Sequence, residues 1–130
     1  MIEQVPGYEI LADVLAEAFR QSALGKGRER HANSRPFDRQ PIMEIGRMVG
    51  PGYNIGQAMK KAQEAMGMVR RHDYGQAVEE CLGAIVYLAA TVHLIREMDA
   101  SLSGGASVSV AQRGEIPPEI VSAMEKALGN

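Results

Sequence analysis

Residues 81–95 run for fifteen positions without a formal charge, from Cys81 through Leu82, Ile85, Val86 and Leu88 to Leu94 and Ile95. It is the longest uncharged run in the chain. A segment this apolar has to be withdrawn from water over most of its circumference. A bilayer-spanning helix needs about 20 such residues, and this run also contains Gly83, Thr91 and His93, so a protein interior is expected and no membrane. The helical reading extends over 76–98. This fourth helix of the chain is the expected central and most enclosed element, and everything else has to be arranged to cover it.

The remaining segments supply helices for that purpose. Aromatics are scarce, Trp is absent, and the apolar mass is Ala, Ile, Leu, Val and eight Met, a mixture that favours helix over sheet. Residues 8–24 read as an amphipathic helix, with Leu11, Val14, Leu15, Ala18 and Phe19 on one stripe and Glu9, Asp13 and Glu17 opposite. Residues 25–40 are rich in Gly, Arg, Asn and Pro and read as a loop. Pro41 suits the first position of a short second helix facing inward through Ile42, Ile45, Met48 and Val49. Gly50-Pro51-Gly52 ends it. Asn54 is the expected cap of a third helix running to about His72, with Ile55, Ala58, Met59, Ala62, Ala65, Met66 and Val69 as its buried face. The stretch 72–75 reads as a turn. The expectation is an all-α fold, a helical bundle of three long helices and one short one. Residues 1–100 form its core domain, 101–116 a Ser/Gly-rich linker, and 117–130 a C-terminal docking helix. Few long helices are available to enclose the fourth, so completion by a homo-oligomer is expected.

Charge is unevenly distributed. Between Arg20 and Arg71 stand eleven basic and four acidic residues, a formal +7, whereas the rest of the chain is −9. Such a split predicts a local surface for a negatively charged partner. Lys26, Arg28, Arg30, His31, Arg35 and Arg39 supply phosphate-binding donors, and Gly25 and Gly27 let backbone amides approach an anion. The other reading is a solvated loop paired with Glu9, Asp13 and Glu17. Gly25-Lys26-Gly27 lacks the spacing and the Ser/Thr of a P-loop. On the third helix, Asn54 and the amides of 54–57 could receive an anion at the N-terminus, with Gln57, Lys60 and Lys61 beyond it. Here the alternative is a plain exposed face with a Lys60–Glu64 pair. Tyr8, Phe37 and Tyr53 are available to stack on a base.

Other polar residues are weaker candidates. His93 and Glu97 share a helical face, but a core histidine paired with its neighbour is favoured over a metal site. No metal site is assigned. Cys81 is alone, which excludes an intrachain disulfide framework, and it reads as a packing residue. No secretory signal precedes the first helix, so a cytoplasmic location is expected. Nucleic acid fits poorly, because aromatics are few and twelve acids lie outside the basic stretch.

The segment Glu79-Glu80-Cys-Leu-Gly-Ala-Ile-Val-Tyr-Leu-Ala-Ala90 resembles the second metal-binding helix of the MazG-like, all-α nucleoside triphosphate pyrophosphohydrolases. In that family a Glu, then an Asp three residues on, precede a similar apolar run. Glu80 matches the Glu, and Gly83 occupies the Asp position. The family's earlier Glu-x-x-Glu helix falls on the third helix, where Gln57, Lys60 and Lys61 stand. The resemblance covers about a third of the chain and implies the fold more than the reaction. A longer pattern is similar to small helical proteins of phages and prophages. It joins residues 25–32 and Pro36-Phe37 to Gln40-Pro41, then Gln57–Lys61 and residues 83–90. It implies phage nucleotide metabolism or counter-defence.

Taken together, the residues predict binding, and in that sense sequestration, of a phosphorylated small molecule such as a nucleotide or cyclic nucleotide signal. Binding alone needs no acid–base machinery and no cofactor. The first alternative is a divergent Mg²⁺-dependent pyrophosphohydrolase using Glu79, Glu80 and Glu97. The second is a protein-interaction module whose basic face meets an acidic host protein.

Overall fold

In the computed structural model, which describes residues 3–25 and 35–102, the protein is all-α, and the described residues contain no strand. Helix α1 spans Glu9–Ala23. A single 3-10 turn at Phe37–Arg39 leads into α2, Pro41–Val49, then α3, Gly52–Arg70, and α4, Tyr74–Leu102. The chain divides into two compact units. One is Glu17–Ile95; the other takes in the N-terminal half of α1 and the last turns of α4. The expected linker from residue 103 onward and the C-terminal helix at 117–130 lie outside the described residues.

In the second unit, α1 starts from local chemistry. Gly7 adopts φ 90, a conformation that favours glycine, and its amide donates to the Glu9 carboxylate at 3.1 Å. Glu9 in the first turn also opposes the positive end of the helix dipole.

The Glu17–Ile95 unit is built on α2. Pro41 occupies the first turn of α2, where its missing N–H costs nothing. The Arg47 guanidinium donates to the Asp38 carbonyl at 2.7 Å and ties the preceding 3-10 turn to the helix. Met43 and Ala90 are fully buried. Ile42 and Leu94 join them, with Phe37, Val86 and Tyr87 packed around the cluster. Asn54 is also fully buried, and its amide donates to the Ile42 carbonyl at 2.7 Å.

Several expectations are corrected here. The third helix begins at Gly52 with Pro51 as its cap, so Asn54 is not the cap. Proline at φ −65 is already helical, which starts α3 earlier and leaves the Asn54 side chain free to reach across to α2. The Ile55 amide is consequently bonded to the Pro51 carbonyl at 3.0 Å, and residues 55–57 do not present free amides to an anion.

The inward faces differ as well. On α2 the buried residues are Ile42, Met43 and Gly46, while Met48 and Val49 are exposed. On α3 they are Asn54, Ala58 and Ala65, and Ile55, Met59, Ala62, Met66 and Val69 face outward. The cause is close approach. Gly46 sits against the Asn54 amide and Leu94, so small residues go inward where backbones come near. Periodicity of large apolar side chains does not register that preference.

Among the described residues, the helix expected to be most enclosed is buried along one side and half exposed along another. Ala77, Leu82, Ala90, Thr91 and Leu94 of α4 are buried, whereas Val78, Leu88, Val92 and Ile95 are half exposed. It is also longer than the 76–98 expected, at 29 residues, and by length and composition alone it could cross a membrane. The link before it is tighter than expected. Asp73 N–H bonds to the Met68 carbonyl at 2.8 Å and His72 N–H to Val69 at 3.0 Å, with His72 at φ 61. That is a Schellman closure, which needs only one left-handed residue, so Tyr74 and Gly75 are already helical.

A candidate binding cavity

The Glu17–Ile95 unit contains a cavity of about 580 Å³, a volume suited to a small-molecule ligand. The end of α1 contributes Gln21, Ser22 and Gly25. Phe37, Gln40, Pro41 and Ile42 come from the 3-10 turn and the start of α2. Tyr53 and Lys61 come from α3, and Gln76, Glu79, Glu80, Gly83, Val86 and Tyr87 from α4. Gln21 fixes one corner, donating from its side chain to the Glu79 carbonyl at 3.1 Å. Gln40 fixes another by donating to the Arg35 carbonyl at 3.0 Å.

Lys61 is the cation of this site. Its ammonium lies 3.6 Å from Glu80 Oε2 and 5.9 Å from the centre of the Tyr87 ring. The Lys61 stem also passes over Gly83, where an added Cβ would meet Lys61 Cδ at 3.0 Å and Nζ at 3.4 Å. Any side chain at position 83 would therefore crowd the lysine. Glu80 Oε2 is shielded from solvent and accepts no hydrogen bond from the described residues. The ion pair is thus its principal compensation, and losing Lys61 would leave a poorly solvated carboxylate.

Beside the ion pair is an aromatic corner. The Tyr53 and Tyr87 rings meet edge to face, with centroids 6.4 Å apart at 78°. Burial pushes the Tyr87 phenol up to about 12, and the charge and hydrogen bond of Tyr53 act in the same direction. Tyr87 therefore presents a neutral hydroxyl throughout the physiological range.

The sequence-derived candidates separate sharply. Lys61, Glu79 and Glu80 line the cavity, as do Phe37 and Tyr53 among the rings proposed for stacking. Arg35 and Arg39 are exposed and outside the lining. Asn54 is buried between α2 and α3 and is used there as a structural bridge. Gln57 is half-buried outside the lining, and Lys60 faces outward in an i,i+4 pair with Glu64 at 3.8 Å. Glu97 lies beyond the Glu17–Ile95 unit and so does not join Glu79 and Glu80 in this cavity. Lys26, Arg28, Arg30 and His31 lie outside the described residues. Gly25, the residue from which that segment departs, is part of the cavity wall.

Sequence reasoning missed Gln21, Gln40, Gln76 and Tyr87. Uncharged amides on amphipathic helices carry no spacing signal, and Tyr87 was absorbed into the apolar run. Among the described residues, no group of three or more His, Cys, Asp or Glu side chains is arranged to hold a metal ion. Comparison with protein-family models, with curated sequences and with solved structures returned no match.

Proposed function

We propose that the cavity binds a phosphorylated small molecule with a planar polar group, in the manner of a nucleotide, and holds it without turning it over. The observation that supports this reading best is Lys61 beside Glu80. In the resemblance to MazG-like pyrophosphohydrolases, Glu80 stands at a metal-ligand position and Gly83 where a second carboxylate is expected. Lys61 stands on the helix that would supply the opposing acids. An ammonium group at 3.6 Å from Glu80 stands where a divalent cation would otherwise have to bind; Glu80 offsets its charge in the free protein, so on this reading an incoming phosphate competes with Glu80 for it. Gly83 gives the ammonium room. A fixed ammonium can attract phosphate, but it cannot activate a water as a bound metal ion does.

The walls fit the rest of such a ligand. Phe37, Tyr53 and Tyr87 offer ring faces and edges for a base. Gln21, Gln40 and Gln76 carry amides that both donate and accept, as base edges require. The net positive charge of the stretch from Arg20 to Arg71 adds to the attraction of an anion on this reading. A setting of phage nucleotide metabolism or counter-defence, with sequestration of a nucleotide or cyclic nucleotide signal, is what the separate resemblance to small phage and prophage proteins implies. A second copy of the chain is the element we assign to completing the cover of α4.

Thermal unfolding of the full chain with nucleotides and with inorganic tripolyphosphate, with and without Mg²⁺, tests the reading. The expected result is a rise in Tm with nucleotide and no metal. The double variant Lys61→Ala with Glu80→Gln, which leaves no unpaired carboxylate, should lose that rise. A rise that requires Mg²⁺ and is accompanied by pyrophosphate release would instead establish the hydrolase reading, for which Glu79 and Glu80 both line the cavity. No rise with any nucleotide would overturn both and leave a protein partner for the basic face.

A further inference from the structure

Along one face of α4 within the Glu17–Ile95 unit stand Val78, Cys81, Ile85, Leu88, Val92 and Ile95, each exposed or half-buried. They follow one another at steps of three, four, three, four and three residues. That alternation is the seam of a coiled coil. None of the six lines the cavity, so what covers this face is a question separate from the ligand. The opposite face is already packed within the chain through Leu82, Ala90 and Leu94. At 1.5 Å per residue the seam is about 26 Å long.

We infer that a second copy of this chain covers the seam, with the two α4 helices antiparallel about a two-fold axis. Three observations lead there. The spacing reads identically in both directions, so an antiparallel pair brings every seam position opposite another seam position, in an isologous contact where i meets j and j meets i. Reversal sets Val78 against the partner's Ile95, Cys81 against the partner's Val92, and Ile85 against the partner's Leu88. No charge lies between 81 and 95, and Glu79 and Glu80, between the first two seam positions, fall at opposite ends of an antiparallel pair, so like charges of the two copies do not face each other. A partner selected for acidity or basicity has nothing to recognise there. Finally, six half-exposed side chains offer on the order of 500 Å² per copy, or about 1,000 Å² for a pair, the size at which a specific interface becomes sustainable.

A lipid surface suits the seam less well. His93 is exposed on α4 between Val92 and Leu94. A bilayer would have to desolvate its imidazole, whereas a helix pair leaves it at the rim.

The test is the mass of the full chain in detergent-free solution, by light scattering after gel filtration, together with directed cross-linking. The native protein is expected at two chains per particle. Leu88→Glu, which places a carboxylate at the middle of the seam, is expected at one chain with its helical circular dichroism retained. Val92→Cys is expected to form a disulfide-linked dimer through Cys81 of the other copy, the two thiols passing two electrons to added oxidised glutathione as their protons leave. That variant keeps the inference testable should Leu88→Glu fail to fold. A one-chain mass for the native protein would overturn the inference and point to the chain's own C-terminal segment as cover. So would flotation with phosphatidylcholine vesicles. Cross-linking of the native chain through Cys81 as readily as of Val92→Cys would show parallel helices and reject the antiparallel register.

Discussion

At Gly46 the difference between a hydrogen and a methyl group decides how α2 meets its neighbours. A Cβ there would overlap the Asn54 side-chain oxygen and come within 2.9 Å of Leu94 Cδ2. The Asn54 oxygen has no hydrogen-bond partner among the described residues, while its amide holds the Ile42 carbonyl. Asn54 is thus half satisfied, and its value lies in bridging α2 and α3. Asn54→Ala is expected to cost about 1 kcal/mol in urea unfolding, since one buried hydrogen bond is lost but an unsatisfied oxygen goes with it. Gly46→Ala is expected to cost about 1–3 kcal/mol from overpacking, partly offset by the better helix propensity of alanine. In the Asn54→Ala background its cost should fall, because the overlapping oxygen is gone. Equal costs in the two backgrounds would mean that Leu94, not Asn54, sets the spacing.

Between α3 and α4 the chain turns on His72. Its φ of 61 is unfavourable for a residue with a Cβ, by about 1–2 kcal/mol relative to right-handed helix. Contact with Tyr74 offsets part of this, through ring centroids 5.8 Å apart and a hydroxyl 3.4 Å from His72 Nδ1. His72→Gly is expected to stabilise the protein by up to about 1 kcal/mol, less the lost ring contact and the extra freedom glycine gives the unfolded chain. Urea midpoints of the variant and the native protein measure this directly, and a lower midpoint in the variant would show that the Tyr74 contact outweighs the strain. The helices themselves were legible in the sequence, because Pro6-Gly7, Pro41, Gly50-Pro51 and the turn near His72 punctuate strongly periodic segments. Their rotation about their own axes was not. Ala58, Ala65 and Gly46 go inward in preference to Met59, Met66 and Met48, since close backbone approach favours small residues over hydrophobic ones.

For the molecule as a whole, the polarised charge makes ligand attraction a matter of field as well as contact. The stretch from Arg20 to Arg71 carries a formal +7, and Lys61 of that stretch is in the cavity wall. The Tm rise produced by tripolyphosphate is therefore expected to shrink as NaCl is raised from 0.05 to 0.5 M (concentrations of roughly these orders bracket the range over which screening lengths fall below the size of the site). An effect independent of salt would mean that hydrogen bonds in the cavity carry the binding and the distant cations do not contribute.

Composition, periodicity and the Pro/Gly punctuation determined that the described residues are helical and, to within a few residues at their ends, where the helices lie, because helix formation depends on residues three and four apart along the chain. Lys61 entered as a cation beyond the start of the third helix, and Glu79 and Glu80 through the resemblance to the MazG-like family. Only the tertiary structure decided that Lys61 neutralises Glu80 across Gly83, that Asn54 is a bridge between helices, and that one side of α4 is exposed among the described residues. Those facts depend on contacts between residues far apart in the chain, where packing distance selects partners and local pattern carries no record of the selection.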